Sequence, residues 1–228
     1  MTEEECKTAI RYEDQELIVF HKKPGIAVQT RKPGQPDIVS LLKNYRAGKG
    51  EEAYIAPVNR LDQPVEGLVL FAKNEKAAAD LSAQLTRGEL EKYYLAIVKD
   101  HGLPEEGQLR DYLRKDTAAN LSRIVPKGTK GAKEALLTFR RLKGDGICAL
   151  VEIHLLTGRH HQIRAQMAFH GWPLLGDRKY GDGFGQKCIP SPALCAYRLR
   201  FIHPVTRVPQ ILEIKPEGKG FSVLSELS

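Results

Sequence analysis

The chain has 228 residues, enough for one sizeable domain with its own core. A hydrophobic fraction of 42% excludes a disordered protein, and no stretch reaches the ~20 consecutive apolar residues of a membrane helix. The formal charge is +7, which favours a polyanionic partner, or else only a soluble basic surface.

The acidic start, Met1 to Lys7, lacks the apolar core of a signal peptide. Leu17 to Phe20 reads as a strand, Lys22-Lys23-Pro24-Gly25 as a turn, and Ile26 to Gln29 as the returning strand of a hairpin. A Pro- and Gly-rich loop, 31–37, leads to a short helix from Ile38 to Tyr45. The segment Val58-Asn59-Arg60-Leu61-Asp62-Gln63-Pro64-Val65-Glu66-Gly67 sets a carboxylate beside an arginine in a Pro/Gly turn, and Leu68 to Lys73 follows as a buried strand. Asn74 is placed to cap a helix that runs to Arg87, with Ala77, Leu81 and Leu85 on one face and Gly88 as its stop. Tyr93 to Val98 is a strand whose alternation sends Tyr93 and Tyr94 to opposite faces.

Residues Arg110 to Lys143 carry ten Lys or Arg and three acids, a local surplus equal to that of the whole chain. Clustering of this kind marks a phosphate-contacting surface, with Arg123, Lys127, Lys130 and Lys133 as the candidates. Lys127-Gly128-Thr129-Lys130-Gly131 has the composition of a mobile loop. Ala135 to Leu142 and Ile147 to Leu155 form a second hairpin across Gly144-Asp145-Gly146. His161 to His170 is a helix stopped by Gly171, and Cys195 to Phe201 and Gln210 to Ile214 are late strands. Hairpins outnumber βαβ units, so the fold class is α+β with a largely antiparallel sheet. The cysteines Cys6, Cys148, Cys188 and Cys195 show neither CxxC pairs nor a disulfide spacing, which suits a reduced, cytoplasmic setting. His160 and His161 lack spaced Cys or acidic partners, so no metal is expected.

Asp62, read alone, is better explained as a turn aspartate that caps its own backbone, the commoner fate of a loop Asp. Its flanks change that reading. Asn59 to Lys73, together with Thr157-Gly158-Arg159-His160-His161-Gln162-Ile163-Arg164, resembles the HRLDxxTSGLLLFAK and TGRxHQIRxH motifs of RluA-type RNA pseudouridine synthases. Lys92 to Val98 is similar to that family's KxYxAxV, 173–181 to its HPLxGDxxYG, and 193–204 to its LHAxxLxFxHP. The resemblance covers residues 11–215, with no room ahead of it for an S4-like RNA-binding module. It implies a single catalytic domain over 1–228 with the pseudouridine synthase fold: a central mixed, largely antiparallel sheet flanked by helices and loops.

The same resemblance implies site roles. Asp62 is the catalytic nucleophile or base, Arg164 its ion-pair partner, and Tyr94 a base-stacking residue and late proton acceptor. Asn59, Arg60, Leu61, Thr157, Gly158, Arg159, His160, Gln162 and Leu194 would contact the substrate, with Arg60 filling the stack left by a flipped nucleotide. The implied activity is isomerisation of uridine to pseudouridine in structured rRNA or tRNA, by a monomer that needs no cofactor or metal. Whether Asp62 attacks C1′ or the base, or works through a glycal, stays open. A catalytically retired RNA chaperone of the same fold is the main rival, and a base-releasing hydrolase would want a second carboxylate. Five positions depart from the pattern. Asn59 and Cys195 stand where the family has His, and Pro64-Val65-Glu66 replaces Asp-Thr-Ser. Glu66 is the oddest, since an acid beside an RNA-binding loop should repel phosphate.

Overall fold

A computed structural model describes residues 3–30, 32, 34–185, 187 and 189–225. Cys188, and Arg31 and Pro33 of the loop expected at 31–37, lie outside them. The chain forms two compact units, one of residues 1–91 with 196–215 and one of 92–195 with 216–228.

The first unit opens with helix α1 (Glu3–Ala9), the strand pair β1 (Ile10–Glu13) and β2 (Leu17–Lys22), and helix α2 (Ile38–Gly48). A two-residue strand β3 (Ala56–Pro57) precedes the Asp62 loop; β4 (Glu66–Ala72) and α3 (Glu75–Arg87) follow it. The second unit contains β5 (Glu91–Lys99), β6 (Glu106–Asp116), β7 (Leu121–Ile124), β8 (Lys133–Gly144), β9 (Cys148–Leu155) and α4 (Gln162–Phe169). The chain then returns to the first unit through β10 (Leu194–Ile202) and β11 (Pro209–Glu213).

In the first unit the strand order is β1-β2-β4-β10, with β3 beside β4 and β11 beside β10. Every residue of β2 and β4 is buried, as two continuous apolar runs require of strands covered on both faces. Leu17, Val19, Leu68, Leu70 and Ala72 pack with Ala77 and Leu81 of α3 and with Leu199 and Phe201 of β10. The α3 ends are those the sequence predicts. Asn74 accepts the Ala77 N–H at 2.9 Å, and Gly88 closes the helix in the left-handed region at φ 76°. Gly67 has φ +137°, and a side chain there would run into the Ala196 backbone, so only glycine lets β4 lie this close to β10.

Two expectations change here. Ile26 to Gln29 does not return along β2; the hairpin partner of β2 is β1, with Glu13 opposite Ile18. The segment after the turn is bound elsewhere, since the Gly25 N–H donates to the Gln63 carbonyl at 2.9 Å. The chain therefore leaves β2 toward the Asp62 loop. The second change lies in the basic segment, much of which is strand: β6 pairs with both β7 and β8. Only Leu109 and Leu113 of β6 are buried, so its apolar signal is too sparse to read as a strand. The Lys127–Gly131 stretch does form turns, between β7 and β8.

In the second unit the order is β5-β9-β8-β6-β7, antiparallel throughout. The β8–β9 hairpin forms as expected. Helix α4 packs on this sheet through Ala165, which joins Leu113 and Ala135 in a small core. Among the described residues no helix is long and apolar enough to cross a membrane.

Candidate functional site

The Asp62 loop is a tightly braced piece of backbone. Val65 N–H donates to the Asp62 carbonyl at 3.0 Å, which closes the Pro64 turn. Asn59 is buried, and its amide is turned to β4: Nδ2 donates to the Leu68 carbonyl at 3.3 Å, and Oδ1 accepts the Leu70 N–H at 2.8 Å. Both polar ends of the side chain therefore fix the loop to the strand. Asp62 itself is half-buried, between the buried Leu61 and the exposed Gln63. Arg60 is exposed. Arg60, Leu61 and Gln63 border a cleft of about 300 Å³, closed on its other side by Ala27, Val28 and Gln29.

Beneath the loop lies a lysine that sequence reasoning passed over as a turn residue. Lys22 is fully buried, and its Nζ donates to the carbonyls of Lys23 (3.1 Å), Gln63 (2.8 Å) and Val65 (2.6 Å). Three acceptors match the three donors of an ammonium. Burial pushes this lysine down to about 7, while the charges of Asp62 and Glu66 pull it back up. The cation thus ties two carbonyls of the Asp62 loop, and the Asp62 charge acts on it.

Glu66 is explained by the same pocket. It is 2% exposed, with Oε1 2.9 Å from His21 Nε2, and Arg11 Nη2 lies 2.9 Å from His21 Nδ1. Arginine can only donate, so Nδ1 accepts and Nε2–H donates to the carboxylate. Glu66 is therefore turned inward on a fixed histidine tautomer and does not face phosphate. His21 was missed because forty-five residues separate it from Glu66.

The second unit holds the other half of the expected residues. Arg164 is 3% exposed and forks onto Asp177, Nε to Oδ2 at 2.7 Å and Nη2 to Oδ1 at 2.8 Å. Its guanidinium also lies 5.3 Å from the centre of the Tyr180 ring. Burial raises the Asp177 carboxyl, but the Arg164 bonds and charge and the Lys179 and Tyr180 N–H groups outweigh it and hold the group below its usual range. Asp177 belongs to the Gly176-Asp177 motif, but nothing in the sequence gives its role: it anchors one side of Arg164.

Gln162 clasps the Thr157–Arg159 turn. Its Oε1 accepts from Thr157 Oγ1 at 2.8 Å and from the Arg159 N–H at 3.0 Å, and its Nε2 donates to Leu136 at 3.2 Å. Arg159 is exposed, with Nε on the Glu134 carbonyl at 2.8 Å. His160 and His161 stack at 3.7 Å; the first meets Ser122 Oγ at 3.0 Å and the second Tyr180 Oη at 2.8 Å. His161 starts α4 from the left-handed region at φ 53°, a conformation disfavoured for a residue with a Cβ.

On β5 Tyr93 and Tyr94 take opposite faces, as the alternation predicts. Tyr94 is 5% exposed, opposite Ile153, while Tyr93 stacks on His154 with ring centres 4.4 Å apart. Leu194 is buried at the start of β10. Of the four expected backbone contacts, Arg123 faces Asp116 at 3.7 Å. Lys127, Lys130 and Lys133 are exposed, with no acidic partner among the described residues.

Comparison with known proteins follows these motifs. The RNA pseudouridylate synthase family matches residues 16–169. A Bacillus subtilis protein described as an uncharacterized RNA pseudouridine synthase is 32% identical over 200 residues, covering 86% of this chain and 65% of that one. A tRNA pseudouridine synthase C of Vibrio cholerae is 29% identical over 234 residues, covering 95% of this chain and 94% of that one. The chain thus spans just under two thirds of the first of these relatives and nearly all of the second. The solved structure of human RNA pseudouridylate synthase domain containing 4 superposes with a TM-score of 0.81 at 22% identity, covering 99% of this chain and 96% of that one, a likeness of fold.

Proposed function

This chain belongs to the RNA pseudouridine synthase family, and we propose that it isomerises specific uridines of rRNA or tRNA to pseudouridine with Asp62 as the catalytic carboxylate. The observation that carries the reading is the Asp62 loop: a half-buried carboxylate on a loop that Asn59 fixes to β4 and that the buried Lys22 ties by two carbonyls, inside the family's motif.

The two units act as one catalytic domain in this reading. By the family resemblance, Arg164, held on one side by Asp177, takes the part of the arginine that keeps the catalytic carboxylate ionised. The target uridine leaves its stack to reach the carboxylate, with Arg60 occupying the vacated place. The C1′–N1 bond breaks, the base turns, and C1′–C5 forms. The proton left on C5 is then removed with the help of Tyr94, whose ring stacks on the base. Arg123, Lys127, Lys130 and Lys133 contact the RNA backbone. The protein works as a monomer in the cytoplasm.

The test is to map pseudouridines in cellular RNA with and without the gene, then to assay the mapped RNA with the purified chain. Asp62→Asn should fold and bind RNA but form no pseudouridine; turnover in that variant would refute the mechanism. Tyr94→Phe should slow product formation while Tyr93→Phe, on the face that stacks on His154, should not. The reverse result would show that the wrong tyrosine has been assigned.

A further inference from the structure

Lys92 is a buried lysine of a different kind from Lys22. It precedes Tyr94 by two residues on β5, so the two side chains project from the same face of the strand. It is only 7% exposed. Among the described residues nothing accepts a hydrogen bond from its ammonium and no carboxylate pairs with it. Lys22, by contrast, has three carbonyl acceptors. Burial lowers the Lys92 pKa with no acid to offset it. An ammonium on a mostly buried stem, with no protein partner and only a small opening to solvent, is costly to the fold. Residues held at such a cost are candidates for a ligand to complete.

The access route is visible at Gly158. A Cβ built there would lie 3.7 Å from Lys92 Nζ and would meet no other atom within 4 Å. Gly158 is exposed and its backbone is outside the left-handed region, so the turn does not need glycine for its conformation. What the missing side chain does is leave the ammonium uncovered from outside. The exposed Arg159 is the next residue, which adds a second positive charge to the same turn.

We propose that Lys92, reached over Gly158, receives a phosphate oxygen of the bound RNA next to the target uridine. This rests on the proposed RNA-modifying function and adds to it a fixed anchor for the backbone of the extruded nucleotide. The lysine waits unpaired in the free protein, and the phosphate supplies the missing acceptor. Because the ammonium is confined on the tyrosine-bearing face of β5, it selects one phosphate position, unlike the exposed lysines of the β7–β8 turn.

The test uses the full chain, the variants Lys92→Met and Gly158→Ala, and RNA stem-loops carrying the mapped uridine. In each stem-loop one phosphate near that uridine is replaced by a neutral methylphosphonate. Both variants should bind the unmodified RNA roughly tenfold more weakly, with a salt slope lower by about 0.7. A single methylphosphonate position should weaken the wild type by the same factor and leave both variants unaffected. Thermal melts should show Lys92→Met at least as stable as the wild type, since it removes an unpaired buried charge; should it fail to fold, Gly158→Ala carries the same readout. Unchanged affinity and slope in the variants, or no position at which methylphosphonate and variant effects merge, would overturn the proposal. So would a Lys92→Met that binds normally but has lost turnover with a shifted pH profile, which would make the lysine a base acting on the nucleoside. Turnover by Asp62→Asn would refute the mechanism proposed above and leave this phosphate contact standing.

Discussion

The loop around Asp62 and the turn between β7 and β8 are both rich in charge, and they treat it in opposite ways. Lys22, His21 and Glu66 are withdrawn from water, and each meets named partners at fixed distances. Lys127, Lys130 and Lys133 stand in solvent with no acid to hold them among the described residues. The same residue type is a structural cation in one place and a diffuse electrostatic surface in the other. The difference shows that a lysine in a sequence predicts neither role until its burial is known. Paired buried charges set geometry, and breaking such a pair costs stability. Exposed charges set affinity, and losing one costs little in the fold.

Substitution can break this contrast, and the largest effect is expected where a buried charge loses its bidentate partner. Asp177→Ala leaves Arg164 buried without the fork that fixes one side of it. The fold should lose about 3–5 kcal/mol by denaturant unfolding. If the chain is still folded, activity should fall about 100-fold because the guanidinium is no longer aimed. A variant within about 1 kcal/mol of the wild type would mean that the pair is not the anchor described here.

The next effect is smaller and depends on pH. Lys22 titrates near 7 in the folded chain and near its ordinary value of 10.5 in the unfolded one. Between those values the unfolded state binds the extra proton, so this lysine's contribution to stability rises with pH. Its cost is present in full below pH 7 and is relieved as the pH climbs toward 10.5. Compared with Lys22→Met, the wild type should therefore gain a few kcal/mol between about pH 7 and about pH 10. Unfolding curves of the two proteins at several pH values measure this; a constant difference would show that the lysine is not held as a strained cation.

The smallest effect on the fold belongs to the exposed lysines. Changing Lys127, Lys130 and Lys133 together to Ala should move stability by no more than about 0.5 kcal/mol. It should weaken RNA binding and flatten its salt slope by roughly one unit for each phosphate no longer neutralised, without changing which uridine is modified. An unchanged slope would leave the turn as a solvated surface, and a new modified position would give it a part in target choice.

The sequence alone determined the features whose causes are local. Asn74 and Gly88 bound α3, because a cap satisfies backbone groups within one turn. Leu68 to Ala72 is a buried strand, because an unbroken apolar run has no solvent face to offer. The Asp62 and Thr157–Arg164 motifs were legible as a resemblance, and the comparison with known proteins bears out the family they point to. Tertiary structure alone decided what each buried charge meets. His21 finds Glu66 across forty-five residues, Lys22 reaches Gln63 and Val65 across more than forty, and Arg164 is seized by an aspartate that the motif gave no role. It also decided that β2 pairs with β1 while the segment after Gly25 turns to the Asp62 loop. The physical reason is one of range. Caps, turns and apolar runs follow from neighbours along the chain, whereas the partner of a desolvated charge follows from which distant backbone the core brings within hydrogen-bond reach.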